Sequence, residues 1–363
     1  MRILIVKLSS IGDVVHTLPV LRTIRYNLPN SYIVWIVEEK TREILEGNKD
    51  VDRIITINTK KWRKGMSLRG NPELDSGEAI PAIFRELMDV INTLRKERFD
   101  TAIDLQGLIK SGVISYLSRA KTRIGFDSGN CRELLNILFT NKKASPAKED
   151  SHVVDKNLSL LKPFGFKEIK RDFNIFSSQK DGEYINEFLI KNRLIGKSLI
   201  VVNPATGWKT KEWGIKNYAG LCDRIISEIG ANIILTWGPG EENMVKGVMD
   251  LMAYKPLVAP PTTLKQIVAL LRMCELFIGG DTGPLHIAAA LKIPTVAIYG
   301  PSDPLRNGPY GDNHFIIHKK IECSGCYKRS CDTIECMKLI SVDEVFSAIA
   351  NHVSKYQSIK VSE

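Results

Sequence analysis

Gly279-Gly280-Asp281-Thr282-Gly283-Pro284-Leu285-His286 is the stretch on which the reading of the fold turns. The apolar run Glu275-Leu-Phe-Ile278 before it has the length and composition of a buried strand, and Pro284 to Leu291 behind it suits a helix. Proline fits the first helical turn, and Asp281 or Thr282 supplies an N-cap. A second buried strand, Thr295 to Tyr299, follows. Strand, glycine-rich turn and helix start together place unpaired N–H groups and the positive end of a helix dipole at the carboxyl edge of a parallel sheet, where phosphates bind. Glycines there let the backbone approach a ligand with no Cβ in the way. His286, one turn into the helix, adds a donor for the same anion. A plain strand-to-helix turn has the same look, so the neighbouring loops must decide.

Two further loops lie on strands of the same half. Asn203-Pro-Ala-Thr206-Gly-Trp-Lys209-Thr-Lys211 follows the strand Ser198 to Asn203 and carries two lysines suited to phosphates. Trp237-Gly-Pro-Gly-Glu241-Glu242 follows the strand Asn232 to Trp237, and an acidic residue in that place takes ribose hydroxyls. Three such loops on one sheet edge predict a nucleotide site. The absence of Gly-x-Gly-x-x-Gly after a strand counts against a nicotinamide dehydrogenase.

The first half repeats the alternation. Strands are expected at Arg2 to Leu8, Ser31 to Glu38, Ile54 to Ile57 and Thr101 to Leu105, with helices near 14–26, 81–97 and 111–118. The polar stretch 63–78 reads as a long loop, and the pattern loosens from about 163 to 197. Residues 1–165 are therefore expected to form one doubly wound α/β domain and 198–340 a second. A linker region spans 166–197, a last helix runs from Val342, and ligands are expected in a cleft between the sheet edges.

The chain has 363 residues, 44% of them hydrophobic and 25% charged, a composition that supports two buried cores. A formal charge of +10 calls for an acidic partner. No aromatic-interleaved basic platform speaks for nucleic acid. No apolar run reaches the length of a signal peptide core or a membrane span, so a cytoplasmic protein is expected. Seven cysteines, an odd number, do not suggest a disulfide framework. Cys323, Cys326, Cys331 and Cys336 fall in one short, Lys/Arg-bearing segment, but their spacing lacks the paired knuckles of a zinc ribbon. Packed thiols are the expectation over a structural zinc.

Asp13 stands at the carboxyl end of the first strand and the start of a helix, a place that suits either a general base or a helix-capping carboxylate. Lys60-Lys61-Trp62-Arg63-Lys64 ends the third strand with four cations around one Trp. Gln106, Lys110, Arg132, His152 and Lys156 would enlarge that basic patch if the fold gathers them.

The motifs Lys7-Leu-Ser-Ser-Ile-Gly-Asp13-Val-Val-His-Thr-Leu-Pro19, Lys60-Lys-Trp-Arg-Lys64, Asp104-Leu-Gln-Gly-Leu-Ile-Lys-Ser111 and Gly280-Asp-Thr-Gly-Pro-Leu-His286, in this order, resemble glycosyltransferase family 9 over nearly the whole chain. The resemblance implies a GT-B fold, two Rossmann-like domains facing a central cleft, with the final helix crossing back to the first. It implies inverting transfer of L-glycero-D-manno-heptose from ADP-heptose to the inner Kdo of Kdo2-lipid A, with no obligatory metal or cofactor. In that reading Asp13 is the base. Thr206, Lys211, Glu242 and Asp281 to His286 hold ADP, and Lys60, Lys61, Lys64, Gln106, Lys110, Arg132, His152 and Lys156 hold the acidic acceptor. A monomer peripheral to the anionic cytoplasmic face of the inner membrane is expected. A family member adding a later heptose, or another core sugar, is the alternative.

Overall fold

The computed structural model describes residues 1–66 and 79–362, and the chain divides into two compact units, Met1–Asn174 and Ile175–Glu363. The stretch 166–197 is shared between them. Thr23 and Lys170 exchange hydrogen bonds of 2.9 and 3.0 Å, and Asn27 Nδ2 donates to Glu168 O, which ties 166–174 to the first unit. Helix Gln179–Lys191 packs on helix Leu264–Leu271 of the second.

The first unit holds strands β1 (Arg2–Val6), β2 (Tyr32–Glu38), β3 (Arg53–Ile57), β4 (Thr101–Asp104), β5 (Thr122–Phe126) and β6 (Lys142–Ala144), all parallel, in the order β3-β2-β1-β4-β5-β6. Helices cover both faces of such a sheet, so its central strands read as unbroken apolar runs. Ile3, Leu4, Ile5 and Val6 are all fully buried. The second unit holds β7 (Leu199–Asn203), β8 (Asn232–Leu235), β9 (Leu257–Val258), β10 (Leu276–Gly280), β11 (Thr295–Tyr299) and β12 (His314–His318), again parallel, in the order β12-β11-β10-β7-β8-β9.

Both sheets thus have the doubly wound order 3-2-1-4-5-6, which reverses direction between the unit's first and fourth strands. Loops leaving the carboxyl ends of those strands diverge, and the gap they leave is where such sheets take ligands. In the first unit the loops follow β1 and β4; in the second, β7 and β10.

Several elements differ from expectation. The helix expected over 14–26 is two, Ile11–Val15 and Leu18–Asn27, because Pro19 starts a new first turn. Helix Thr59–Met66 occupies the start of the stretch expected as a loop, and 67–78 lie outside the described residues. The final helix does start at the expected Val342 and runs to Ser362; it buries Val345, Phe346 and Ile349 in the second unit's core and packs on helix Ile215–Arg224, β11 and β12. Among the described residues no helix is long and apolar enough to cross a membrane.

Candidate functional site

In the first unit the chain leaves β1, passes Ser9 and Ser10 and enters helix Ile11–Val15, where Asp13 is the third residue. Ser10 donates its N–H (3.0 Å) and its hydroxyl (3.2 Å) to Asp13 Oδ2, so the carboxylate does cap the helix. Its other oxygen is free for different work. Oδ1 receives Arg132 Nη2 at 2.8 Å and faces Lys7 Nζ at 3.5 Å. Burial alone would raise the Asp13 pKa, but Lys7 and Arg132 outweigh it and hold the carboxyl well below the usual carboxylate range. Lys7 is itself sealed in the core, its ammonium donating to Leu105 O at 2.7 Å, and burial lowers its pKa against the pull of Asp13.

The loop after β4 braces this arrangement. Asp104 is fully buried and accepts from the Gln106 and Gly107 amides, Ser111 Oγ and Asn136 Nδ2 at 2.6–3.1 Å. Gln106, expected on the acceptor, is instead turned inward. Its Oε1 accepts from Leu8 N (3.0 Å) and Ser9 N (3.4 Å), and it holds the β1 loop in place.

The basic residues gather only in part. Arg132 meets Asp13 directly. His152 Nδ1 accepts from Val154 N at 3.1 Å, capping helix Val153–Ser159, and its ring stands edge-on to His16, three residues beyond Asp13. Lys156 is half-buried on that helix. Lys110 Nζ lies 3.3 Å from Thr59 Oγ1 and 3.7 Å from Glu38 Oε1, where β2 ends and helix Thr59–Met66 begins. On that helix Lys60 is exposed and Lys61 pairs with Glu86 at 3.0 Å; the Lys64 side chain lies outside what is described.

In the second unit the three predicted loops leave adjacent strands, β10, β7 and β8. Thr206 Oγ1 donates to Trp208 O at 2.9 Å, turning the chain through Lys209–Lys211. A Cβ on Gly280 would lie 3.0 Å from Thr206 Cγ2, so the glycine that ends β10 lets the two loops lie close together. Asp281 is the hub: Oδ2 takes Lys211 Nζ at 2.5 Å and Oδ1 lies 3.0 Å from His286 Nε2. Burial opposes its charge, yet His286 and Lys211 keep it well below the usual range. Thr282 caps helix Gly283–Ala290 in extended backbone, with Pro284 in the first turn, and its buried Oγ1 has no hydrogen-bond partner among the described residues. The Leu285 side chain is fully buried in the core, so only its backbone can face a ligand. Glu242 is exposed at the start of helix Glu242–Leu251, while Glu241 turns back to accept from Gly238 N.

Two cations share the Trp208 ring: Lys211 Nζ at 4.3 Å and the Arg329 guanidinium at 4.7 Å from its centroid. Arg329 rides on the cysteine-bearing loop, which Thr210 Oγ1 ties down by donating to Lys328 O at 2.8 Å. Neither Trp208 nor Arg329 stands out in the sequence, since 120 residues separate them. The four cysteines of that loop are free thiols, exposed at 323 and 331 and buried at 336. Among the described residues no three potential ligands are grouped to hold a metal ion.

Comparison with known proteins gives the family of the chain. Residues 87–336 match the family model described as glycosyltransferase family 9 (heptosyltransferase). Lipopolysaccharide heptosyltransferase 1 of Escherichia coli K12 is 32% identical over 320 residues, covering 87% of this chain and 93% of the relative. The Pseudomonas aeruginosa protein of the same name is 29% identical over 332 residues, 91% and 87% of the two chains. The structure of E. coli heptosyltransferase WaaC with ADP-2-deoxy-2-fluoro heptose superposes with a TM-score of 0.74 at 28% identity, covering 97% of this chain and 99% of that one.

Proposed function

The chain belongs to glycosyltransferase family 9, and we propose that it moves heptose from ADP-heptose to the inner Kdo of Kdo2-lipid A, with inversion. Its two parallel six-stranded sheets are those of the GT-B fold. The observation that carries the reading is Asp13: a carboxylate held ionised at the β1/β4 switch point, its side chain 17% exposed, with one oxygen committed to the backbone and the other to cations.

An inverting displacement needs one base and a stabilised leaving group. Asp13 takes the proton from the acceptor hydroxyl as that oxygen attacks the anomeric carbon. The bond from that carbon to the diphosphate oxygen breaks, and ADP departs with its electron pair. Lys211 and the N-terminus of helix Gly283–Ala290 meet the charge that develops there, and Asp281 aims Lys211 and His286. As Arg132 holds it, Asp13 is a weak base. An acceptor carboxylate drawing Arg132 to itself would release Oδ1 and raise the basicity of Asp13 when substrate is in place. Thr206, Thr282 and Glu242 complete the donor side; Lys60, Lys61, Lys110, His152 and Lys156 are assigned to the acceptor. The net charge of +10 suits an acidic lipid acceptor on the cytoplasmic face of a membrane.

The test is ADP release from ADP-heptose with Kdo2-lipid A, run beside an acceptor that already carries one heptose. Turnover confined to the bare Kdo acceptor supports addition of the first heptose. Turnover confined to the extended one moves the enzyme to a later step, and silence on both refutes the donor or acceptor assignment.

A further inference from the structure

The short turn Leu134–Leu138 inverts the usual order of side chains. Asn136 is fully buried, donating to Asp104 Oδ2 at 2.6 Å and to Leu108 O at 2.8 Å, while Leu134, Leu135 and Leu138 are 62%, 57% and 71% exposed. One polar anchor fixes the turn to the core and three leucines face water. The turn is also seated tightly. A Cβ on Gly112 would come within 2.8 Å of Asn136 Nδ2 and 2.9 Å of the Phe139 ring, so helix Ile109–Leu117 keeps a glycine where the turn lies on it. A contiguous exposed apolar patch held rigid in this way is characteristic of an interaction surface.

The surroundings of the patch are basic. Arg132 precedes the leucines, and Lys142 and Lys143 follow on the edge strand β6; Lys143 Nζ donates to Thr140 O at 2.6 Å, which fixes its position at the end of the turn. The Arg123 guanidinium lies over the exposed Tyr116 ring beside them. Within 132–143 the single carboxylate, Glu133, is spent on the Ile109 amide. Leucines flanked along the chain by cations, with an aromatic close by, match an anionic lipid leaflet: the apolar side chains enter the acyl boundary and the cations stay with the headgroups.

We propose that the Leu134–Leu138 turn is a membrane-docking wedge for an anionic leaflet. It rests on the reading of a lipid-borne acceptor and refines it: Arg132 joins the wedge to Asp13, so the leaflet delivers the acceptor sugars beside the base.

Vesicles of phosphatidylglycerol and phosphatidylethanolamine, free of any acceptor, test the wedge by co-sedimentation with the full chain. The wild type binds. A variant carrying Leu134→Ser, Leu135→Ser and Leu138→Ser loses about tenfold or more in apparent affinity, and Leu138→Ser alone loses part of that. All three side chains point to solvent, so folding and turnover on a deacylated, water-soluble acceptor stay unchanged. Equal vesicle binding by wild type and triple variant, or none by either, overturns the proposal. So does a wild-type dimer that the leucine substitutions render monomeric, because the patch would then be a self-interface. Failure of the wild type to turn over the soluble acceptor would count against the functional reading alone and leave the vesicle result to decide the wedge.

Discussion

The two units carry the same electrostatic device at the same topological place. In each, a carboxylate at the switch point is clamped by two basic side chains: Asp13 by Lys7 and Arg132, Asp281 by Lys211 and His286. The difference lies in which members are sealed. In the first unit the buried partner is a cation, Lys7, and the outer ones are Asp13 and the 39% exposed Arg132. In the second the carboxylate is nearly sealed, at 7%, and Lys211 and the helix start lie outside it. One clamp therefore presents a carboxylate and the other presents the Lys211 ammonium. The first suits proton abstraction and the second a departing diphosphate, although the local charge patterns are near copies.

The largest effect separates the two carboxylates. Asp13→Asn should lower turnover by about 10²–10⁴-fold with ADP affinity unchanged by calorimetry, and a variant with near-normal turnover would remove Asp13 as the base. Lys211→Ala comes next, with about a 10²-fold loss in kcat/KM for the donor; unchanged donor kinetics would end its phosphate role. Asp281→Asn should act through its partners, raising KM for the donor by about tenfold, as expected when a charge-assisted contact is misaimed. Its stability effect has a defined sign. Because the folded pKa of Asp281 lies below the ordinary 3.8, its contribution is full above about pH 4 and fades as the pH falls through the folded value. Thermal melts of wild type and Asp281→Asn should therefore converge in acid.

The smallest effect concerns Arg132. Removing it by Arg132→Gln takes away one of the two cations that depress Asp13, so the acid limb of kcat/KM should move to higher pH by about one unit. A limb that stays in place would mean that Lys7 alone sets the ionisation.

Much of this was readable from residue order because central parallel strands and their loops are local. β11 occupies the expected residues, and Thr282 caps the expected helix. β5, β6, β9 and β12 are not among the expected strands; at two of the sheet edges, β6 and β9, the strands are short, and Lys142-Lys143-Ala144 and Leu257-Val258 have no apolar run to show. The clamps escaped because their members lie far apart in sequence. Nothing in the order of residues joins Arg132 to Asp13, 119 positions away, or points Gln106 inward. Leu134, Leu135 and Leu138 look like core by type, and only their exposure distinguishes them from it.

The most direct test of the account is the anomeric configuration of the product, read by NMR on the new glycosidic linkage. A single displacement assisted by Asp13, with Asp281 kept from the sugar by its own cations, predicts a configuration opposite to that of the donor heptose. A product of retained configuration would require a covalent or front-face route and would contradict the division of labour between the two carboxylates.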